Sequence, residues 1–281
     1  QPIGRMWVGT FHSLAHRLLR THPIEANLSP TFQILDAQDQ FRIVKRLMKE
    51  NGVDEKKLKI KEVQWFINKN KDNGKLPQDI DVGYDYAKKQ KVKVYDLYEN
   101  FVQANDLVDF AGLLVKSFEL LKNNHSLLNH YQNKFHHILV DEFQDTNQIQ
   151  YQFIKILHNQ NNHVFCVGDD DQSIYGWRGA KIENIQKLEN DFKPIQVIKL
   201  EQNYRSTGNI LGASNALIAK NQNRLEKSLW TESGDGDLIN VFNARDEREE
   251  AQYVVSEIQT QFNQGRNLDE CAILYRSNAQ S

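Results

Sequence analysis

The sequence predicts an α/β protein, a parallel sheet with ligands at the carboxyl ends of its strands and a largely helical block in front. Three observations carry this. Apolar residues of the first half recur at helical spacing, and no convincing strand is read between Thr10 and Asn133. From Phe135 the texture changes to short β-rich runs at 138–140, 164–167, 197–200, 239–242 and 272–275, with helical segments between most of them. The first of those runs, Ile138-Leu139-Val140, ends in two adjacent carboxylates, Asp141 and Glu142.

In chain order, Thr10 offers an N-cap to a helix that carries Leu14, Leu18 and Leu19 on one side. A helix N-terminus of that kind also favours a phosphate, so Thr10 and His12 are candidate anion contacts as well as cap and core. Nothing suggests a metal at His12, because no other His or Cys has ligand spacing with it. Phe41, Val44, Leu47 and Met48 predict the next helix, with Asp36 as N-cap and Asn51-Gly52 as its stop. Val94, Leu97, Tyr98, Phe101 and Val102 fit a further helix; Phe110, Leu113, Leu114, Ser117, Phe118 and Leu121 repeat the pattern after a turn near Asp106. The basic stretches 56–61, 69–75 and 88–93 are read as solvated faces. Ala251, Val254, Val255, Ile258 and Phe262 predict a late helix, and Ser233-Gly234-Asp235-Gly236 a flexible turn.

Composition bounds the function. With 281 residues and 40% apolar content the chain can bury one or two ordinary cores. A net charge of −2 excludes a uniformly basic nucleic-acid coat, so any such contact must come from local patches and stacking. Cys166 and Cys271 lie inside strand-like runs, which predicts buried, reduced thiols of a cytoplasmic protein rather than a disulfide. No apolar run approaches the ~18 residues of a membrane span. The abrupt ends suggest an excised fragment.

The chemistry concentrates in two runs. Asp141-Glu142-Phe143-Gln144-Asp145-Thr146 follows the first strand, where one acid can serve Mg²⁺ and the next an attacking water. The bland alternative is a pair of acids capping a strand. Val167-Gly168-Asp169-Asp170-Asp171-Gln172 leads into Ser173-Ile174-Tyr175-Gly176-Trp177-Arg178-Gly179. There an amide, Gln172, stands beside a glycine-punctuated aromatic turn, a phosphate sensor next to a base-stacking surface. Aromatics are usually core residues, but Tyr175 and Trp177 sit among Gly176, Arg178 and Gly179 with no helical or long strand period. Three consecutive acids would repel a triphosphate unless they meet Mg²⁺, basic partners or point away.

These two runs, with Leu200-Glu201-Gln202-Asn203-Tyr204-Arg205-Ser206 after them, resemble superfamily 1 DNA helicases of the UvrD/PcrA/Rep type. The resemblance extends from Met6-Trp7-Val8-Gly9-Thr10-Phe11-His12-Ser13 to Ile273-Leu274-Tyr275-Arg276-Ser277-Asn278-Ala279-Gln280. It implies RecA-like lobes of a P-loop NTPase with a helical inserted subdomain. Residues 1–12 would close the N-terminal part of the first lobe and 13–134 would form the insertion. Residues 135–199 would complete that lobe, and 200–281 would begin a second.

The implied roles are Mg²⁺ ligation by Asp141, general base for Glu142, γ-phosphate contact for Gln172, adenine stacking by Tyr204 and an arginine finger at Arg205. Thr10, His12, Tyr175, Trp177 and Arg178 would touch single-stranded DNA, and lysines of the insertion would meet duplex. ATP and Mg²⁺ are the implied cofactors; single strands, strand–duplex junctions and DNA-repair proteins are the implied partners, with no membrane.

No Gly-x-x-x-x-Gly-Lys-[Ser/Thr] segment occurs, and Gly74-Lys75 is followed by Leu76. In the family that loop lies upstream and the last motifs downstream, so the chain alone is expected not to hydrolyse ATP. Two rivals remain: a non-hydrolysing module that holds single-stranded DNA or a helicase partner, and a helicase–nuclease relative.

Overall fold

The computed structural model describes residues 6–221, 224–225 and 227–277, which group into two compact units, Gln1–Ile198 and Lys199–Ser281. Most helix starts in the first unit are fixed by short polar caps, each worth about 1 kcal/mol. Helix α1 (Phe11–Thr21) begins where the Thr10 hydroxyl accepts from Ser13 N at 3.2 Å. Strand β1 (Gln33–Leu35) leads to α2 (Ala37–Glu50), where the Asp36 carboxylate accepts from Gln38 N and Asp39 N. That helix stops at Asn51, followed by Gly52 at φ 66°, a left-handed turn that glycine takes without Cβ strain. Helices α3 (Ile60–Asp72) and α4 (Tyr86–Ala104) follow. Strand β2 (Leu107–Asp109) runs directly into α5 (Phe110–Asn123), then come α6 (His125–Lys134) and β3 (His137–Val140). Helix α7 (Gln148–Leu157) opens with a capping box between Asn147 and Gln150, and β4 (His163–Cys166) and α8 (Glu183–Asp191) complete the unit.

Three apolar clusters hold these elements. One joins α1, α5, α6 and α7 through Leu18, Leu19, Leu114, Leu121 and Phe153. A second closes α2, α3 and α4 through Val44, Met48, Val63, Ile67, Val94 and Tyr98. The third packs Val140 and Phe143 on Tyr151, Ile154 and Phe192, seating the end of β3 on α7. Each fully buried aliphatic or Phe side chain contributes roughly 1.5–3 kcal/mol before conformational entropy is subtracted. Two small parallel sheets result. β1 pairs with β2 in the register Gln33 to Leu107, and β3 with β4 in the register His137 to His163. Among the described residues of the second unit the α-helices are α9 (Gly208–Ile218) and α10 (Glu247–Asn263), with an isolated bridge between Gln202 and Trp230.

The mixed α/β class and the helical first half agree with the sequence reading, and several details correct it. β1 and β2 lie inside the stretch read as free of strands; three residues each are too few for a period of two to register. The runs 197–200, 239–242 and 272–275 form no strand among the described residues. Val241 and Leu274 stand almost wholly exposed, because a β-rich run becomes a strand only where a neighbour completes its ladder. β3 is not buried through its length: Leu139 is 73% exposed, and Val140 alone of its four residues is buried.

Cys166 and Cys271 are free thiols, half-buried rather than buried. Burial still pushes the Cys166 thiol up to about 12, so it stays protonated at neutral pH. Within the basic stretch 69–75, Lys71 is 2% exposed, not solvated. Phe110, read as part of an apolar helical period, is more exposed than buried. Among the described residues no helix is long and apolar enough to cross a membrane.

Candidate functional site

The candidate chemistry sits just beyond the carboxyl ends of β3 and β4, where a parallel sheet leaves its loops free to hold a ligand. Past the last strand residues the two chains stay hydrogen-bonded: Val167 N donates to Val140 O at 2.8 Å and Phe143 N to Val167 O at 2.9 Å. The loop after β3 is thereby laid beside the loop after β4. Gly168 makes the close approach possible, since a Cβ there would lie 2.8 Å from Gln144 Oε1 and 3.2 Å from Phe143 N.

Asp141 and Glu142 are both exposed. Asp141 Oδ1 accepts from Glu142 N at 2.9 Å, and no hydrogen bond among the described residues reaches its other oxygen. An exposed carboxylate with one uncommitted oxygen suits Mg²⁺, which takes hard oxygen ligands and is commonly held by one or two carboxylates plus phosphates and water. Glu142 stands in the left-handed region at φ 49° and ψ 46°, a strained position for a residue with a Cβ, costing of order 1 kcal/mol. Such strain recurs where a side chain must be aimed.

Gln144, 1% exposed, donates through Nε2 to Glu142 Oε2 at 2.7 Å and accepts at Oε1 from Asp169 N at 3.0 Å. Burial, and after it the charge of Glu142, pushes the Asp145 carboxyl above its ordinary value. Asp169 turns inward: its carboxylate accepts from Asp171 N at 3.0 Å and from Gln172 Nε2 at 2.6 Å. The carboxylates of Asp169, Asp170 and Asp171 lie within 4.8 Å of one another. Gln172 is exposed, and its loop is tied to the Glu142 loop through Asp169 and Gln144.

Tyr175 and Trp177 follow in a tight turn closed by Gly179 N to Gly176 O, with Gly179 at φ 90°. Their ring centroids are 6.4 Å apart at 51°, and Trp177 is 69% exposed, an open ring rather than a core one. The Arg178 side chain lies outside the described residues.

Thr10 and His12 lie in the same unit at the start of α1. Burial lowers the His12 imidazole, which is therefore neutral at pH 7 and offers a ring and a hydrogen bond rather than a charge. It meets Phe110 edge-on with centroids 6.1 Å apart. The two rings border a cleft of about 220 Å³ lined also by Asp36, Gln40, Asn68, Asp72 and Asp109. Asp72 joins that cleft to the loops: Asn147 Nδ2 donates to its Oδ1 at 2.9 Å, and a Cβ at Gly179 would lie 3.6 Å from its Oδ2. Burial, and then Asp109, pushes the Asp72 carboxyl up to about 6.

Beneath it Lys71 Nζ lies 2.8 Å from Asp109 Oδ2 and 2.7 Å from Glu99 Oε1, and Tyr98 OH donates to Asp109 Oδ2 at 2.6 Å. Burial works against both charges, yet the pairing holds Lys71 above and Asp109 below their ordinary values.

In the second unit Tyr204 is 81% exposed, with its hydroxyl donating to Gln202 Oε1. Arg205 is exposed at the head of the segment entering α9, its backbone N–H held by Asn203 Oδ1 at 2.9 Å. The roles of Gly168, Asp72 and Phe110 escaped the sequence reading. Gly168 carried a signal in its place before three acids; the other two depend on tertiary neighbours.

Comparison with known proteins matches residues 1–193 to the UvrD/REP helicase N-terminal domain and 198–281 to the UvrD-like helicase C-terminal domain. DNA helicase II of Escherichia coli is 52% identical over 278 residues, covering 99% of this chain and 39% of its own length. DNA helicase II of Haemophilus influenzae is 52% identical over 276 residues, 98% of this chain and 38% of the relative. ATP-dependent DNA helicase PcrA of Staphylococcus epidermidis is 41% identical over 277 residues, again 98% and 38%. The chain thus spans well under half the length of these relatives.

Proposed function

The chain belongs to the UvrD/REP helicase family, with a RecA-like fold, and from that premise we propose that it is the central part of an ATP-dependent DNA helicase. The whole protein moves 3′→5′ along single-stranded DNA, opens strand–duplex junctions, and works in the cytoplasm in DNA repair with repair proteins as partners. In this reading residues 1–12 and 135–199 belong to the first RecA-like lobe, 13–134 to the inserted subdomain and 200–281 to the second lobe. The observation that carries it is the joining of Glu142 to the Gln172 loop at the ends of β3 and β4. A hydrolytic base and a phosphate sensor need that proximity.

Glu142 takes the proton of the attacking water. Asp141 would hold Mg²⁺, which when bound would supply charge neutralisation for the phosphates of ATP. Gln172 contacts the γ-phosphate, and its loop passes that contact to Tyr175 and Trp177, which stack on bases with Arg178 beside them. Thr10 and His12 hold the strand at the start of α1, where the exposed ring of Phe110 adds apolar surface. Tyr204 stacks on adenine and Arg205 stabilises γ-phosphate charge, a contribution typically worth ~10³-fold or more in turnover. The phosphate loop absent from these 281 residues belongs, in this reading, to the rest of the protein.

The test is Glu142→Gln in the full-length protein. Turnover should fall by at least ~10³-fold while ATP binding, followed by a fluorescent nucleotide, is kept. Near-normal turnover would remove the base from Glu142.

A further inference from the structure

Gln144 is a buried amide between two loops, and the chemistry above gives it no part. Its orientation is settled by its partners. Asp169 N can only donate, so the amide oxygen faces it and the NH₂ group faces the Glu142 carboxylate. One side chain therefore grips an oxygen of the candidate base and the backbone of the Gln172 loop together. Asp169 extends the link, accepting from Gln172 Nε2 at 2.6 Å. Glu142 needs such a grip, because its left-handed backbone leaves the carboxylate on a strained, exposed turn. No hydrogen bond among the described residues reaches Glu142 Oε1. The amide thus occupies one oxygen and leaves the other for water. Gly168 keeps this geometry closed, since any Cβ would press on Gln144 Oε1.

We propose that Gln144 is a positioning residue for hydrolysis: its carboxamide aims Glu142 and makes that aim depend on where the Gln172 loop sits. A shift of Asp169 as Gln172 engages a terminal phosphate is carried through a single amide to the base. This rests on the base assignment of Glu142.

The test uses the full-length protein with ATP and a single-stranded oligonucleotide. Gln144→Met keeps the apolar bulk and removes both hydrogen bonds; Gln144→Glu can still accept from Asp169 N but cannot, when ionised, donate to Glu142. Both should lower kcat at least tenfold with KM for ATP within threefold. Gly168→Ala, which disturbs the same contact from the other loop, should lower kcat in the same sense. In a Glu142→Gln background, Gln144→Met should cause no further loss, because the group it acts through is gone.

Turnover of Gln144→Glu within twofold of the parent overturns the proposal. So does an additional tenfold loss in the Glu142→Gln background, or a rise in KM that accounts for the whole effect, since either reports a merely structural role. If Glu142→Gln itself retains turnover, the base assignment fails instead. An inactive Glu142→Gln beside a normal Gln144→Glu removes the relay alone.

Discussion

At the scale of single residues, the groups that matter are those whose surroundings oppose their ordinary chemistry. Asp72 is the clearest. With its carboxyl at about 6 instead of 3.8, the folded protein holds that proton more tightly than the unfolded chain does. Protonation therefore favours the fold as pH falls from about 6 towards 3.8, and above about 6 the buried charge is a standing cost. Asn at this position keeps an acceptor for Asn147 and removes the charge. Asp72→Asn should stabilise the protein at pH 7.5 by ~1–2 kcal/mol, after allowance for solvent screening of a partly exposed group, and by less at pH 5. Thermal unfolding of the whole protein at the two pH values decides it; an equal gain at both would contradict the assignment. Residue types alone made Asp141, Glu142 and Gln172 candidates, because two acids at a strand end and an amide after a second strand are chemically conspicuous. Gln144 could be read as a coupling or structural group rather than a catalyst, but its partner across the loops could not, since that contact exists only where Gly168 lets the other loop approach.

At the scale of elements, local signals were read well and non-local ones poorly. Thr10, Asp36 and Asn51-Gly52 each act on the nearest backbone, so helix starts and stops followed directly from sequence. β1 and β2 stabilise each other across the whole of α2, α3 and α4, and neither announces itself alone. The same limit hid Lys71. Its neighbours in sequence are solvated lysines, whereas its partners, Glu99 and Asp109, come from α4 and β2. Those partners make α3 dependent on one ammonium. Lys71→Met should cost about 3–5 kcal/mol, because the buried Asp109 would be left beside the half-buried Glu99 without a counter-charge. Urea unfolding of the full-length protein would show a lowered midpoint at unchanged slope; a loss below ~1 kcal/mol would mean that water reaches the site.

At the scale of the whole molecule, the proposed function requires that hydrolysis be felt by the DNA strand. In that proposal the path starts at Glu142, crosses the hydrogen-bonded loops to Gln172 and ends in the turn bearing Tyr175 and Trp177. An exposed indole is the natural gripping surface, since stacking accepts any base and is worth ~1–3 kcal/mol for each. Trp177→Ala should weaken oligonucleotide binding by that amount and reduce the ratio of DNA-stimulated to DNA-free turnover. An unchanged ratio would sever the aromatic turn from the motor. The overall α/β plan was legible from texture, but the strands expected at 197–200, 239–242 and 272–275 were not formed, because composition promises a strand and only a neighbour delivers one. The β1–β2 pairing also has a consequence in time. Gln33 meets a partner made roughly seventy residues later, so at ribosomal speeds of about 5–20 residues per second the nascent segment waits for roughly 4 to 15 s. Throughout that wait it is an unmatched edge, and cotranslational helpers that shield such edges have their longest opportunity there.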